Sequence, residues 1–84
     1  ALARGLGDVY KRQVGRDPKC NLSFDIKTLS KRHFKIEYDG KYMYIDDLGS
    51  TNGTKVNGIL IERRHRLERK DVISAGMLRF QIEW

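Results

Sequence analysis

Apolar and polar residues alternate with period two in two clear runs. Period two is typical of a β-strand with one buried face. The first run occupies residues 33–38; one face carries Phe34, Ile36 and Tyr38, and the other carries His33, Lys35 and Glu37. The second occupies residues 78–84, where Leu78, Phe80, Ile82 and Trp84 alternate with polar residues. These runs predict two strands that contribute to a core.

Shorter strands are predicted around these two. A strand that includes Val14 is predicted to end at Pro18, since proline fixes φ and lacks an N–H. Aromatic and β-branched residues predict the others, at residues 22–24, 41–46, 55–56, 59–61 and 71–73. No segment of ten or more residues has helical periodicity. Many short strands separated by turns predict an all-β antiparallel sandwich or barrel.

The connections between the strands have turn signals of their own. Asp39-Gly40 and Asn57-Gly58 each predict a two-residue type I′ hairpin, which needs φ > 0 at both central positions. Residues 25–31 are predicted to form a loop. The charged run at residues 62–70 contains Leu67 but is otherwise typical of a solvated connection.

Length and composition narrow the function. The 84 residues allow one small domain with a marginal core. A single cysteine, Cys20, excludes an intramolecular disulfide and a cysteine metal cluster. A cytoplasmic, reducing setting is expected, and no apolar run is long enough to span a bilayer. The net charge of +6 suits an anionic partner.

Residues 4–13 resemble the in-frame translation of a transposon-derived sequencing adapter. We therefore expect residues 1–13 to be a non-native leader, residues 14–84 to be the natural domain, and the source to be bacterial, from environmental sequencing. Without the leader, 14 basic and 10 acidic residues remain, and the net charge becomes +4. The segment from Val9 to Gln13 is acceptable strand sequence and could substitute for a lost strand.

Candidate chemistry is concentrated in residues 47–58. This stretch holds three glycines, two asparagines, one serine and two threonines. Its hydroxyl and amide groups, with glycines that let the backbone approach a ligand, favour a loop that holds a phosphate. Two earlier segments add cations and a further hydroxyl, at Arg16 and at Ser30-Lys31. Charged hydrogen bonds of about 1.5–3 kcal/mol each would let two or three of them support micromolar binding.

The order of these motifs resembles a forkhead-associated (FHA) domain. The resemblance rests on Gly15-Arg16, on Ser30-Lys31-Arg32-His33, and on residues 48–54 and 56–58. It covers the chain from about Val14 to Trp84. It implies an eleven-stranded β-sandwich that binds phosphothreonine peptides through loops at one end, without catalysis, cofactor or metal. It also implies a module of a larger chain that mediates phosphorylation-dependent protein interactions.

The resemblance assigns a role to each site residue. Arg16 and Ser30 contact the phosphate, Lys31 adds a phosphate or peptide contact, Thr51 reaches the phosphate and Asn52 fixes the peptide backbone. The supporting residues are Gly15, His33, Gly49, Gly53, Asn57 and Gly58. A pocket for the methyl group of threonine would give a preference over serine of about 1–3 kcal/mol.

The sequence departs from the family in two places. Lys70-Asp71 stands where the family usually has Gly-Asp, and because lysine tolerates φ > 0 poorly, we expect that turn to differ. The first strand and most of the second would precede Val14. Their loss would leave an exposed strand edge, which predicts an unstable or aggregation-prone chain.

Three other functions compete with phosphothreonine binding. The first is a protein-interaction domain of the same fold that does not need phosphate; a complete set of Arg16, Ser30, Thr51 and Asn52 argues against it. The second is nucleic-acid binding, which would depend strongly on salt and would use Arg63, Arg64, Arg66, Arg69 and Lys70. The third is an enzyme, which is disfavoured because the sequence pairs no nucleophile with a base and lacks the P-loop lysine spacing.

Overall fold

The computed structural model describes residues 9–82, which contain nine strands and no helix. The strands are β1 (Tyr10–Gly15), β2 (Leu22–Ser23), β3 (Phe34–Tyr38), β4 (Met43–Asp47), β5 (Thr54–Val56), β6 (Ile59–Leu60), β7 (His65–Leu67), β8 (Val72–Ala75) and β9 (Leu78–Gln81). The prediction of an all-β chain is confirmed. Within this range no helix has the length and hydropathy needed to cross a bilayer.

The strands form two sheets. One sheet has five strands in the order β2-β1-β3-β4-β7, and the other has four in the order β6-β5-β8-β9. All neighbouring strands are antiparallel except β1 and β2, which pair in parallel. The fold is therefore the predicted sandwich, with one parallel pair at the edge of an otherwise antiparallel sheet.

The core lies between the two sheets. Alternate residues of β3, β4, β5 and β8 are buried, as expected of strands that each cover one side of a core. Phe34 of the larger sheet stacks on Phe80 of the smaller one, with ring centroids 5.7 Å apart. The loop residue Leu29 completes this core. Residues 83 and 84, at the end of the predicted last strand, lie outside the described residues.

The two predicted type I′ hairpins have different outcomes. Asn57 and Gly58 have φ of 53° and 81° and join β5 to β6, so that prediction is confirmed. The prediction for Asp39-Gly40 is wrong. The loop has four residues, 39–42, and only Gly40 has positive φ. The Asp39 carboxylate accepts hydrogen bonds from the N–H groups of Lys41 and Tyr42, which stabilises the wider loop.

The prediction that the charged run at residues 62–70 is a solvated connection is also wrong. It contains β7, and Leu67 is buried opposite Met43 of β4. Arg64 donates to Glu37 and Asp46 at 3.1 and 3.0 Å and covers the ring of Tyr44. A strand of three residues with one inward side chain is too short for period two to be visible.

One cation of this run, Arg64, forms ion pairs on the outer face of the larger sheet. Lys35 and Arg64 both donate to Glu37, and these hydrogen bonds lower the pKa of Glu37 to about 2. Arg66 lies over the ring of Tyr42 with its guanidinium carbon 4.8 Å from the ring centroid. Two of the five cations of the run, Arg64 and Arg66, therefore contact the larger sheet.

The turn at Lys70 keeps the backbone that a glycine would supply. Lys70 has φ of 72°, a left-handed conformation that costs a residue with a Cβ about 1–2 kcal/mol. Its carbonyl accepts a hydrogen bond from the Gln81 side chain at 2.9 Å, and the Asp71 carboxylate accepts one from the Glu68 N–H. The expectation that this turn would differ is therefore wrong for its backbone.

Residues 10–13, part of the adapter-like segment, belong to β1. This strand pairs with β3 from Tyr10 opposite Tyr38 to Val14 opposite Phe34, and its C-terminal end pairs with β2. The rings of Tyr10 and Tyr38 lie 5.6 Å apart. The segment thus serves as strand sequence, as predicted, and it delivers Gly15 and Arg16 to the end of the sheet.

Candidate functional site

Three loops meet at one end of the sandwich. Loop 1 (residues 16–21) follows β1, loop 2 (24–33) precedes β3, and loop 3 (48–53) joins β4 to β5. The antiparallel register places the end of β1 and the end of β4 beside the start of β3. The three segments that the sequence marked for phosphate chemistry are therefore neighbours in space.

Loop 1 is joined to loop 2 through the backbone. The N–H of Arg16 donates to the carbonyl of Ser30 at 2.9 Å, and that of Asp17 donates to the carbonyl of Lys31 at 3.1 Å. Gly15 is buried against this contact. A Cβ on Gly15 would overlap the Lys31 carbonyl oxygen and approach its carbonyl carbon to 2.8 Å. Only glycine allows the two backbones to lie this close.

Ser30 connects all three loops. Its carbonyl binds loop 1, and its hydroxyl oxygen accepts the N–H of Thr51 in loop 3 at 3.0 Å. Because that bond uses an oxygen lone pair, the hydroxyl proton is still available to a ligand. Thr51 itself is exposed. The structure therefore places Thr51 directly beside the Ser30 hydroxyl group.

His33 braces loops 2 and 3 from inside. Its prediction on the polar face of a strand is wrong, because it precedes β3 and is fully buried. Nδ1 accepts the N–H of Ser30 at 3.0 Å, and Nε2 lies 2.8 Å from the carbonyl oxygen of Gly53. This pair assigns the ring proton to Nε2, which donates to Gly53. Satisfying both nitrogens allows an imidazole to be buried.

Asp47 organises loop 3, and the sequence analysis missed it. Its carboxylate accepts the N–H groups of Gly49 and Ser50 at 3.0 Å each and the hydroxyl groups of Ser50 and Thr54. Burial opposes its ionisation, but the four hydrogen bonds outweigh burial and lower the pKa of Asp47. An aspartate two residues before a glycine was the available signal, since aspartate often bonds the backbone two residues on.

Stability should fall in acid through Asp47. Because its folded-state pKa is lowered, its contribution is complete above the unfolded value of about 3.9 and is lost as pH falls through the folded value. We expect Asp47→Asn to cost about 1–3 kcal/mol near neutral pH and to flatten the acid dependence of urea unfolding. Asp25→Asn, which removes an exposed carboxylate outside loop 3, is the control and should retain the acid-dependent loss of stability through Asp47. An unchanged slope in Asp47→Asn would contradict this role.

Asn52 is held by Thr28, a second residue that the sequence analysis missed. The Asn52 side-chain amide donates to the Thr28 carbonyl at 2.7 Å, and the Thr28 hydroxyl accepts the N–H of Met77 at 3.0 Å. The amide oxygen of Asn52 has no partner among the described residues. This oxygen can accept a hydrogen bond from an extended peptide. Thr28 was missed because no local sequence pattern distinguishes it from any other loop threonine.

Two cations border an open groove of about 470 Å³ beside loop 1. Arg16 and Lys31 are both exposed there, together with Ser23. Asp17 and Asp25 line the same groove. Asp17 accepts the N–H of Lys19 at 2.9 Å and thereby shapes the loop. The groove can hold an anion at Arg16 and Lys31 and an adjacent cation at the carboxylates.

Cys20 supports the same loops. Its buried thiol donates to the Lys31 carbonyl, with sulfur and oxygen 3.2 Å apart. Burial and the nearby Asp17 carboxylate raise the thiol pKa, which keeps the proton needed for that bond.

The other predicted supporting residues lie in two regions. Gly49 and Gly53 have φ of 74° and 78° in loop 3 and allow its sharp bends. Asn57 and Gly58 lie in the hairpin between β5 and β6. The Asn57 side chain donates to Asp71 and accepts the N–H of Val72. Asn57 therefore links the β5–β6 hairpin to the start of β8.

Comparison with known proteins identifies a family for this chain. A family model described as FHA domain matches residues 12–76. The chain is 37% identical over 69 residues to the proliferation marker protein Ki-67 of Mus musculus, covering 82% of this chain and 2% of Ki-67. The chain thus spans a small part of that curated relative.

Two solved structures show the same architecture. The FHA domain of the CT664 protein from Chlamydia trachomatis is similar with a TM-score of 0.84 and 29% identity, covering 94% of this chain and 79% of that one. The N-terminal FHA domain of Rad53p from S. cerevisiae, solved with a phosphothreonine peptide, has a TM-score of 0.72 and 34% identity, covering 81% and 58%.

Proposed function

The chain belongs to the FHA family, and from this premise we propose that it is a phosphothreonine-binding module. It would recognise a phosphorylated segment of another protein and make their association depend on phosphorylation. The proposed role is binding alone. The complex of the similar Rad53p domain with a phosphothreonine peptide supports it.

The position of Ser30 gives this proposal its main support. Its backbone fixes loop 1, its hydroxyl oxygen fixes loop 3, and its hydroxyl proton is available beside both. A phosphate presents three strong acceptor oxygens and a charge of about −1.5 to −2. A donor hydroxyl joined to one loop that carries a guanidinium and to another that carries a second hydroxyl matches such a group.

Each predicted site residue then has a physical task. Arg16 supplies a guanidinium that can make two parallel hydrogen bonds to phosphate, and Lys31 supplies a mobile positive charge. Ser30 and Thr51 donate hydroxyl protons. Asn52, whose amide nitrogen is held by Thr28, orients the peptide backbone with its oxygen. The site is thus formed by three loops, and loop 3 alone would lack an arginine.

The proposal is tested by fluorescence polarisation with a phosphothreonine peptide library and its unphosphorylated counterparts. Binding should require the phosphate. Arg16→Ala should weaken it by about tenfold to a hundredfold, which corresponds to the 1.5–3 kcal/mol of a charged hydrogen bond. Arg69→Ala is the matched control, because it removes an exposed arginine from the turn before β8, at the end of the sheets opposite to loop 3.

The control separates a specific contact from a general charge effect. Arg69→Ala should bind within about twofold of the wild type, since an exposed distant charge contributes little. If Arg16→Ala bound phosphopeptide as well as Arg69→Ala, the proposed phosphate contact would be wrong. Equal affinity for phosphorylated and unphosphorylated peptides would overturn the function itself.

A further inference from the structure

A second groove adjoins the phosphate loops on the outer side of the smaller sheet. We call it the outer groove; it has a volume of about 610 Å³ and is lined by Thr28, Asn52, Lys55, Ser74, Met77 and Arg79, with two glycines. It differs from the groove at Arg16 in its charge. Its lining contains two cations and no carboxylate.

The register of the smaller sheet places the two cations of the groove on the same face. Lys55 of β5 is opposite Ser74 of β8, and Ser74 is opposite Arg79 of β9. Residues opposite each other in antiparallel strands point to the same face, so the three side chains form one row with the short serine in the middle. Neither cation forms a salt bridge within residues 9–82.

The outer groove is continuous with the proposed phosphate site. Asn52 lines it, while the preceding residue, Thr51, is bonded to Ser30. Thr28, which holds Asn52, also fixes the N–H of Met77 on the opposite wall. The Met77 side chain is 79% exposed above this anchored backbone. A peptide whose backbone lies on Asn52 would therefore have the outer groove next to it.

Building on the proposed function, we propose that the outer groove selects an acidic residue of the same phosphopeptide. Lys55 and Arg79 are its positive partners, and the Ser74 hydroxyl lies between them. An extended peptide advances about 3.3 Å per residue, so the acidic residue lies within a few positions of the phosphothreonine. Met77 packs against the aliphatic part of that segment. The occupant is a glutamate or aspartate side chain, since the row offers two positive charges and a hydroxyl donor, and no carboxylate, to a flanking residue.

The experiment compares phosphothreonine peptides in which glutamate, glutamine or lysine is scanned through each flanking position. Affinities are measured by fluorescence polarisation for the wild type, for Lys55→Gln/Arg79→Gln, and for the control Arg63→Gln/Arg69→Gln. Both double variants remove two exposed positive charges, but only the first alters the outer groove. The same series is measured at low and high salt.

At one flanking position, we expect glutamate to bind about threefold to tenfold more tightly than glutamine in the wild type. This preference should disappear in Lys55→Gln/Arg79→Gln and persist in the control variant. Added salt should reduce it, because exposed ion pairs are screened.

The outcomes separate this proposal from the proposed function. Phosphate-dependent binding with no acidic preference at any position, or with a preference that both double variants retain, would overturn the outer-groove assignment and leave the function intact. Loss of all phosphate dependence in the wild type would overturn both. Equal weakening of every peptide by both double variants would show a general charge effect and would also reject the assignment.

Discussion

Replacing Gly15 with alanine is expected to destabilise the protein by more than about 3 kcal/mol, although it adds only one methyl group. The new Cβ would overlap the carbonyl oxygen of Lys31, and it would also come within 3.0 Å of the Arg32 Cα. All of these atoms belong to the backbone. Because a backbone cannot rotate away as a long side chain can, β1 and loop 2 must separate.

Separation would damage the site as well as the fold. The contact at Gly15 is followed directly by the hydrogen bonds from Arg16 to Ser30 and from Asp17 to Lys31. Moving the two backbones apart would lengthen both bonds and move Arg16 away from Ser30. We therefore expect phosphopeptide affinity to fall more than about tenfold at temperatures where the variant is still folded.

Urea unfolding followed by tryptophan or tyrosine fluorescence measures the stability change. Gly40→Ala is the matched control. Gly40 has φ of 96° but no atom within 4 Å of an added Cβ, so it should show only the conformational cost of about 1–2 kcal/mol. If Gly15→Ala were no less stable than Gly40→Ala, and bound phosphopeptide normally, close backbone contact at Gly15 would not be needed.

The parts of the fold that could be predicted are those specified by local patterns. Period two located β3 because its side chains alternate between core and solvent, and Asn57-Gly58 located a turn because few residues accept φ > 0 twice in succession. The short edge strand that contains Leu67 was not predicted, since a strand with a single inward residue has no visible periodicity. Asp39 was misjudged because its carboxylate stabilises a four-residue loop that competes with the tight turn.

The residues of the candidate site could be selected from the sequence, but their arrangement could not. Arg16, Ser30 and Thr51 were found from their residue types and from the resemblance of their motifs. The sequence could not show that the Ser30 hydroxyl accepts the Thr51 N–H, because those residues meet only after the strands pair. Thr28 escaped for the same reason: it acts through its backbone carbonyl, which every residue has.

Lys70 shows the limit of an argument from residue type. Its lysine predicted a changed turn, yet the backbone keeps a left-handed conformation. Hydrogen bonds from neighbouring segments, including the one that Gln81 donates to the Lys70 carbonyl, hold that conformation. Tertiary contacts can thus impose a backbone angle that the residue itself disfavours, at a cost of about 1–2 kcal/mol.

His33→Phe is expected to cost about 2–5 kcal/mol of stability, although phenylalanine is similar in size and more apolar. His33 is fully buried, and its two ring nitrogens satisfy the N–H of Ser30 and the carbonyl of Gly53. Phenylalanine would leave both of these part-buried backbone groups without their partner. Each unsatisfied group costs about 1–3 kcal/mol, which exceeds the gain from greater apolarity.

The effect on function should exceed what the loss of stability explains, since Ser30 and Gly53 belong to different loops of the site. The control is His65→Ala, which alters the chain's other histidine at an exposed position in β7 and should cost under about 1 kcal/mol. Urea unfolding gives the stabilities, and phosphopeptide titration at a temperature where both variants are folded gives the affinities. We expect His33→Phe to bind at least about tenfold more weakly than His65→Ala. Equal affinity of the two folded variants would show that the three loops keep their arrangement without this imidazole, and the bracing role of His33 would then be wrong.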